Sequence, residues 1–341
     1  MHPFSAGIIG CGVMGEHYAR VITGDQHTRL AAVCDLDRPK AEGFSKRWQA
    51  PSVFASVADM LRVGGLDGVI VATPDFAHQQ PVCACLEAGL PVLCEKPLAT
   101  TLQDADAIVE AQAKTTLPLM VNFGNRHRSN AQRIRQIVES GELGTIEHVY
   151  VRLNERLCKT KTIAWLGRTS PVWFLLSHCV DLVRWILGDE FRDVFARASY
   201  GVVDRLQPGV PDVVSALCTT VEGVCVNLES CWIMPDAYFG NIDFALQVVG
   251  REGVIQADLF PHDLQVHRHG GAMVEDYSMD VRGPRGTTMG WWEESVKQFF
   301  RALQTGVKPT PSAEDAREVT RTLVALEQSL ETGATVEVSS A

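Results

Sequence analysis

The feature that most constrains this chain is Gly10-Cys11-Gly12-Val13-Met14-Gly15, a G-x-G-x-x-G run directly behind the apolar stretch Ala6-Gly7-Ile8-Ile9. Helix-compatible residues at 17–22 follow, so the glycines stand where a strand turns into a helix. Each glycine has its own task. Gly10 permits the tight turn, Gly12 lets the backbone approach a pyrophosphate, and Gly15 lets the helix lie close on the strand. The helix N-terminus, opening at Val13 and Met14, offers N–H donors and the positive end of its dipole to phosphate. A second apolar run, Leu30-Ala31-Ala32-Val33-Cys34, ends at Asp35, 20 residues after Gly15. A carboxylate at that distance can accept from ribose hydroxyls. It also repels a 2′-phosphate, which predicts NAD over NADP; Arg38 and Lys40 just behind keep NADP as the alternative.

The alternation continues along the chain. Helical character over 41–48 and 57–61 is followed by a buried strand at 68–72, ending in Thr73-Pro74. A helix at 79–88 with Gly89 as its stop leads to a strand at 91–94, ending in Glu95-Lys96-Pro97. A helix at 102–114 and a strand at 117–122 complete the pattern. Strand and helix in turn imply an α/β Rossmann domain, a parallel sheet with helices on both faces, over residues 1–123. Ligands bind beyond the carboxyl ends of such strands, where Thr73, Pro74, Glu95, Lys96 and Asn122 stand. Beyond residue 123 a helix at 131–140 gives way to strand candidates at 146–153, 194–200, 213–220, 224–234, 242–249, 254–257 and 264–269. These predict an α+β domain with a mostly antiparallel open sheet over 124–341. Later helices are expected at 291–303 and 314–330, the last packing back toward the first domain.

Composition narrows the partners. At 341 residues the chain exceeds what one core usually serves. A net charge of −10 argues against nucleic acid, which needs clustered Lys and Arg. No run of 18 apolar residues suits a membrane span, and residues 1–15 lack the basic start of a signal peptide. Ten cysteines without a CxxC pair read as reduced, structural thiols, which suggests the cytoplasm. His262, His267 and His269 read as surface residues, and no metal site is expected.

Taken with the glycine loop and the Ala72-Thr73-Pro74…His78 segment, Glu95-Lys96-Pro97 makes the chain resemble the glucose–fructose oxidoreductase / inositol dehydrogenase (Gfo/Idh/MocA) family. The likeness spans the chain and is clearest over residues 6–130. It implies that Lys96 helps bind substrate and cofactor and takes part in proton transfer, and that a cis peptide precedes Pro97. Asn125-Arg126 is similar to the family's arginine-containing segment, and Trp165 with Arg168 to its Trp-Arg element near the nicotinamide. His78, Glu95, Asn122, Arg126 and Trp165 thereby join the cofactor-binding candidates. The family's catalytic helix carries an aspartate, three residues, a histidine, two residues and a second aspartate. His178 and Asp181 match the last two, and Phe174 stands in place of the first. His178 and Asp181 share one helix face, with Arg184 three further on, so Asp181 is a catalytic candidate beside His178, the structural alternatives being that it only orients His178 or pairs with Arg184. Homodimers or homotetramers are also implied.

The expected activity is NAD(P)-dependent oxidation of a secondary alcohol, or reduction of the ketone, on a sugar, cyclitol or related polar molecule. Lys96 and His178 handle the proton, His178 being the better acceptor by its ordinary pKa of about 6.5. Two alternatives use the same fold: elimination assisted by transient oxidation with retained NAD, and a dinucleotide-binding sensor without catalysis, to which Phe174 points. Trp165, Trp173, Trp232, Tyr238 and Trp291 are candidate sugar-stacking faces or core aromatics.

Overall fold

The structure is a computed structural model that describes residues 3–238, 242–260, 265–268, 271–274, 281–282 and 288–338. The chain divides into two units, Met1–Gly124 with Ser278–Arg317, and Asn125–Tyr277 with Glu318–Ala341.

In the first unit, β1 (Phe4–Ile9) is flanked by β2 (Thr28–Cys34) and β4 (Gly68–Val71), both parallel to it. With β3 (Ser52–Phe54), β5 (Val92–Cys94) and β6 (Leu119–Val121) they form a parallel sheet in the order β3-β2-β1-β4-β5-β6. That order is the doubly wound dinucleotide-binding one. The strands β4, β5 and β6 are buried at every residue, as strands covered on both faces must be. The edge strand β3, Ser-Val-Phe, is only half-buried and lacks the continuous apolar run that marks β5 and β6, so it escapes sequence reading. The helices are α1 (Val13–Gly24), α2 (Arg38–Trp48), α3 (Val57–Val63), α4 (Gln79–Glu87) and α5 (Leu102–Ala113). Asp37, Ser56 and Thr101 cap α2, α3 and α5 by accepting from backbone N–H groups, whereas α1 starts at Gly12 with no side-chain cap.

The second unit opens with α6 (Ser129–Glu139), β7 (Ile146–Arg156), the short α7 (Leu157–Thr160) and α8 (Ser177–Leu187). Then come β8 (Phe191–Ser199), α9 (Val203–Leu206), β9 (Val213–Thr220), β10 (Cys225–Met234), β11 (Ile242–Gly250) and β12 (Val254–Asp258). Val149, Val151 and Leu153 of β7 are buried, and α8 packs on β7 and α6. Tyr150 and Arg152 alternate to the other face. There the Tyr150 hydroxyl donates to Glu229 (2.7 Å), Arg152 Nε donates to Asp243 (2.8 Å), and Asn154 Nδ2 donates to both carboxylates. Two hairpins follow, β13 (Gln265–Arg268) with β14 (Gly271–Val274) and β15 (Val281–Arg282) with β16 (Thr288–Met289). The chain ends in α10 (Trp291–Thr305), α11 (Ala313–Thr332) and β17 (Val336–Glu337). The large sheet runs β12-β11-β7-β10-β9-β8-β17, with β7 and β10 parallel and every other pair antiparallel.

The expected domain limits need one correction. Residues 278–317 belong with the first unit, because Trp292, Val296, Phe299 and Phe300 of α10 enter the apolar cluster of Ile8, Tyr18, Ile22 and Phe44. The final helix divides: Arg317 reaches Asp106 in the first unit, while Ser329, in the second, accepts from the Ala196 N–H (2.9 Å).

All ten thiols are free, and burial pushes Cys34 up to about 11 and Cys11 and Cys85 to about 12, which holds these three in the thiol form. No described helix is long and apolar enough to cross a membrane. The described residues contain no group of His, Cys, Asp and Glu able to hold a metal; His262 and His269 lie outside them, and the His267 backbone is in β13.

Because Phe299 is fully buried in the shared cluster, Phe299→Ala should lower the unfolding free energy by about 3–5 kcal/mol in urea denaturation. A change below about 1 kcal/mol would show that α10 is not part of that core.

Candidate functional site

Gly10, Asp35, Thr73, Glu95 and Asn122 each follow the carboxyl end of a parallel strand, so they lie along one edge of the sheet. Gly10 has φ +100°, and a Cβ there would lie 2.4 Å from the Ala72 carbonyl oxygen. A Cβ on Gly15 would lie 2.2 Å from the Gly10 carbonyl oxygen, so only glycine lets α1 settle on the end of β1. A Cβ on Gly12 would meet nothing within 4 Å. The loop is thus tight behind and open in front, beside a helix start without a side-chain cap. A pyrophosphate fits such a cradle, taking the N–H groups of Val13, Met14 and Gly15.

Asp35 braces the same loop. Its Oδ2 accepts from the Cys11 N–H (2.9 Å) and from Lys40 Nζ (2.9 Å), and its Oδ1 accepts from the Asp37 N–H (3.0 Å). Burial raises its pKa, but the Lys40 hydrogen bond and the two backbone N–H groups outweigh burial and hold it below the ordinary carboxylate value. A carboxylate offers about four acceptor sites, so Asp35 keeps capacity for a ribose hydroxyl.

Several expected cofactor contacts are committed within the protein. The His78 ring, 1% exposed, lies with Nδ1 2.8 Å from the Pro97 carbonyl oxygen and Nε2 3.0 Å from that of Thr73. It therefore ties the loops after β4 and β5 together instead of reaching outward. The Thr73 hydroxyl donates to Ala77 O (2.9 Å), and Pro74 opens the turn Asp75–Ala77. Glu95 is buried, accepting from the Tyr18 hydroxyl (2.5 Å) and from the Lys96 N–H (3.1 Å). Asn122 Nδ2 donates to the Tyr18 oxygen (2.6 Å), and its Oδ1 accepts from the Ser295 hydroxyl (2.6 Å). Burial, then the Glu95 charge, pushes the Tyr18 phenol well up, so it stays a donor. Lys96 is half-buried between buried Glu95 and Pro97, and the Lys96–Pro97 peptide is cis, as the resemblance implied. Tyr18 and Ser295 escaped sequence reading, since they join this network only through packing of distant segments.

On the second unit, a wide turn at Val172–Leu176 leads into α8. Phe174 and His178 are half-buried, while Leu175, Leu176, Ser177, Cys179 and Val180 are buried. The Asp181 carboxylate takes two hydrogen bonds from Arg126, Nε at 3.0 Å and Nη2 at 2.6 Å. Of the alternatives left open for Asp181, pairing with Arg184 is not the one formed: Arg184 holds Glu190 (2.6 and 2.5 Å). Arg126 and Asp181 are both buried, so each neutralises the other in a place where an unpaired charge would be costly. Both are thereby held inside the unit, Arg126 as the anchor of α8 and Asp181 as its counterion. His178 Nδ1 lies 3.1 Å from Asn125 Nδ2, a partner the sequence did not reveal. The Phe174 ring packs edge-on against Trp232 with centroids 5.7 Å apart. Trp232 and Trp173 are core residues; Trp165, Tyr238 and Trp291 are half-buried. A shallow cavity of about 270 Å³, lined in part by Lys161, Gly167 and Gln207, includes none of the residues nominated from sequence.

Residues 4–123 match a family model described as an oxidoreductase family with an NAD-binding Rossmann fold, and residues 131–256 match the GFO/IDH/MocA C-terminal domain. Inositol 2-dehydrogenase 1 of Saccharopolyspora erythraea is 28% identical over 335 residues, 97% of this chain and 95% of its own. Inositol 2-dehydrogenase 2 of the same organism is 31% identical over 280 residues, 81% and 79% respectively. A similar solved structure is scyllo-inositol dehydrogenase from Lactobacillus casei with bound NAD(H) and scyllo-inositol, with TM-score 0.86, 19% identity and coverage of 99% of this chain and 100% of that one. That likeness speaks for the fold. With both domains matched in order, the chain belongs to the GFO/IDH/MocA family of NAD-binding oxidoreductases.

Proposed function

We propose that this protein oxidises a secondary alcohol of a cyclitol or a related sugar-like polyol, and reduces the corresponding ketone in the reverse direction, with NAD as cofactor. The observation that carries this reading is the open glycine cradle with the Asp35 carboxylate fastened to it, in a chain 28–31% identical to inositol 2-dehydrogenases. NAD, when bound, supplies the hydride acceptor. Val13, Met14 and Gly15 hold its pyrophosphate through backbone N–H groups, and Asp35 takes the adenosine ribose. Lys40 is already bonded to Asp35, which leaves the carboxylate in place against a 2′-phosphate. Lys96 hydrogen-bonds the reacting oxygen and takes part in the proton transfer, and His178 assists it. Glu95, Asn122 and His78 position the strand-end loops on which Lys96 rides. Asp181 and Arg126 together fix the helix bearing His178. Trp165 contributes an apolar edge at the nicotinamide end. The enzyme works as a soluble, cytoplasmic homodimer or homotetramer.

A screen of inositols and other polyols should produce NADH with at least one of them, and its absence with all would remove the proposal. Asp35→Ala should weaken NAD binding by about tenfold or more, the value of one or two charge-assisted hydrogen bonds, and narrow the preference over NADP in calorimetric titration. Lys96→Met should lower kcat by about 10²–10⁴ while NAD affinity stays within a few-fold. Unchanged turnover in that variant would take Lys96 out of the mechanism.

A further inference from the structure

We infer that Arg128 and Asn125 hold the His178 ring with its hydrogen on Nε2, so that His178 serves the substrate as a hydrogen-bond donor and not as the base. This rests on the reading above that His178 meets the substrate.

Arg128 Nε lies 2.9 Å from Asn125 Oδ1. A guanidinium only donates, so the amide atom facing it must be the carbonyl oxygen. Arg128 cannot easily turn away, since it is buried and its Nη1 donates to the Leu259 carbonyl (2.6 Å). The other end of the Asn125 amide, Nδ2, is then directed at His178 Nδ1, 3.1 Å away. An amide nitrogen also only donates, so Nδ1 must present its lone pair. In a neutral imidazole the hydrogen then sits on Nε2. A hydrogen on Nδ1 would face the amide's own N–H. Asn125 is 6% exposed, and flipping its amide would set an N–H against Arg128.

A carboxylate beside Nδ1 would have the opposite effect, accepting a hydrogen there and leaving Nε2 basic. At the position where the resemblance places one, this chain has Phe174, packed on Trp232. The missing carboxylate and the donor relay therefore act in the same direction. His178 keeps its hydrogen throughout and stabilises charge as it grows on the substrate oxygen. In this scheme the hydroxyl proton passes to Lys96 Nζ. Asn125 and Arg128 are positioning residues in this scheme.

The tautomer can be read directly by two-bond ¹H–¹⁵N NMR of protein labelled with ¹⁵N-histidine, the His178 signals being assigned by their loss in His178→Gln. Wild type should show Nδ1 as pyridine-like and Nε2 as pyrrole-like. Asn125→Asp, whose carboxylate can accept from both Arg128 and Nδ1, should exchange the two. A pyrrole-like Nδ1 in wild type, or an unchanged pattern in Asn125→Asp, would overturn the inference. In kinetics, His178→Gln retains a donor but cannot take a proton. It should keep both limbs of the kcat/KM pH profile with a loss of about tenfold, against about 10²–10³ for His178→Ala. Loss of a limb in His178→Gln would make His178 the base after all. The NMR result stands whether or not any polyol turns over, so failure of the proposed activity and failure of this inference are separable.

Discussion

The approach of the Gly10 turn to the backbone at Ala72 and Thr73 is the constraint on which the first unit depends. It brings the end of β1 against the end of β4, where a side chain has no room, and lets α1 start with its N–H groups facing outward. Asp35, at the end of β2, then ties itself to the Cys11 N–H and fixes the loop from the other side. The loop thus offers chiefly main-chain donors, with the Asp35 carboxylate already engaged in three hydrogen bonds.

Two buried carboxylates elsewhere are handled the same way. Glu95 is held by Tyr18 and by the Lys96 N–H, and Asp181 by Arg126 in two-pronged geometry. Such groups are tolerable only when their hydrogen bonds are complete, and once complete they are rigid. That rigidity sets the strand-end loops and the α8 helix. Residues nominated from sequence for cofactor contact, such as His78 and Arg126, also have such partners inside the protein.

Much of the architecture was legible because its signals are local. Gly10 to Gly15 and Asp35 lie in one short stretch, and apolar runs punctuated by glycine and proline announced β1, β2, β4, β5 and β6. The alternation of β7 was equally plain, since every second residue faces the core. What stayed hidden was non-local or too short. The half-buried edge strand β3 has no continuous apolar run, and α10 reads as an ordinary amphipathic helix until its aromatic face meets the cluster around Tyr18.

The sequence by itself determined the dinucleotide cradle, the strand-end position of Lys96 and the place of His178 on its helix, because turn sterics and helix periodicity act within a few residues. Only the tertiary structure decided which polar group meets which. Asn125 reaches His178 across 53 residues of chain, Arg126 reaches Asp181 across 55, and Asn122 reaches Tyr18 across 104. A hydrogen bond selects its partner by distance and direction in space, and nothing in the spacing of residues along a chain encodes either until the elements have packed.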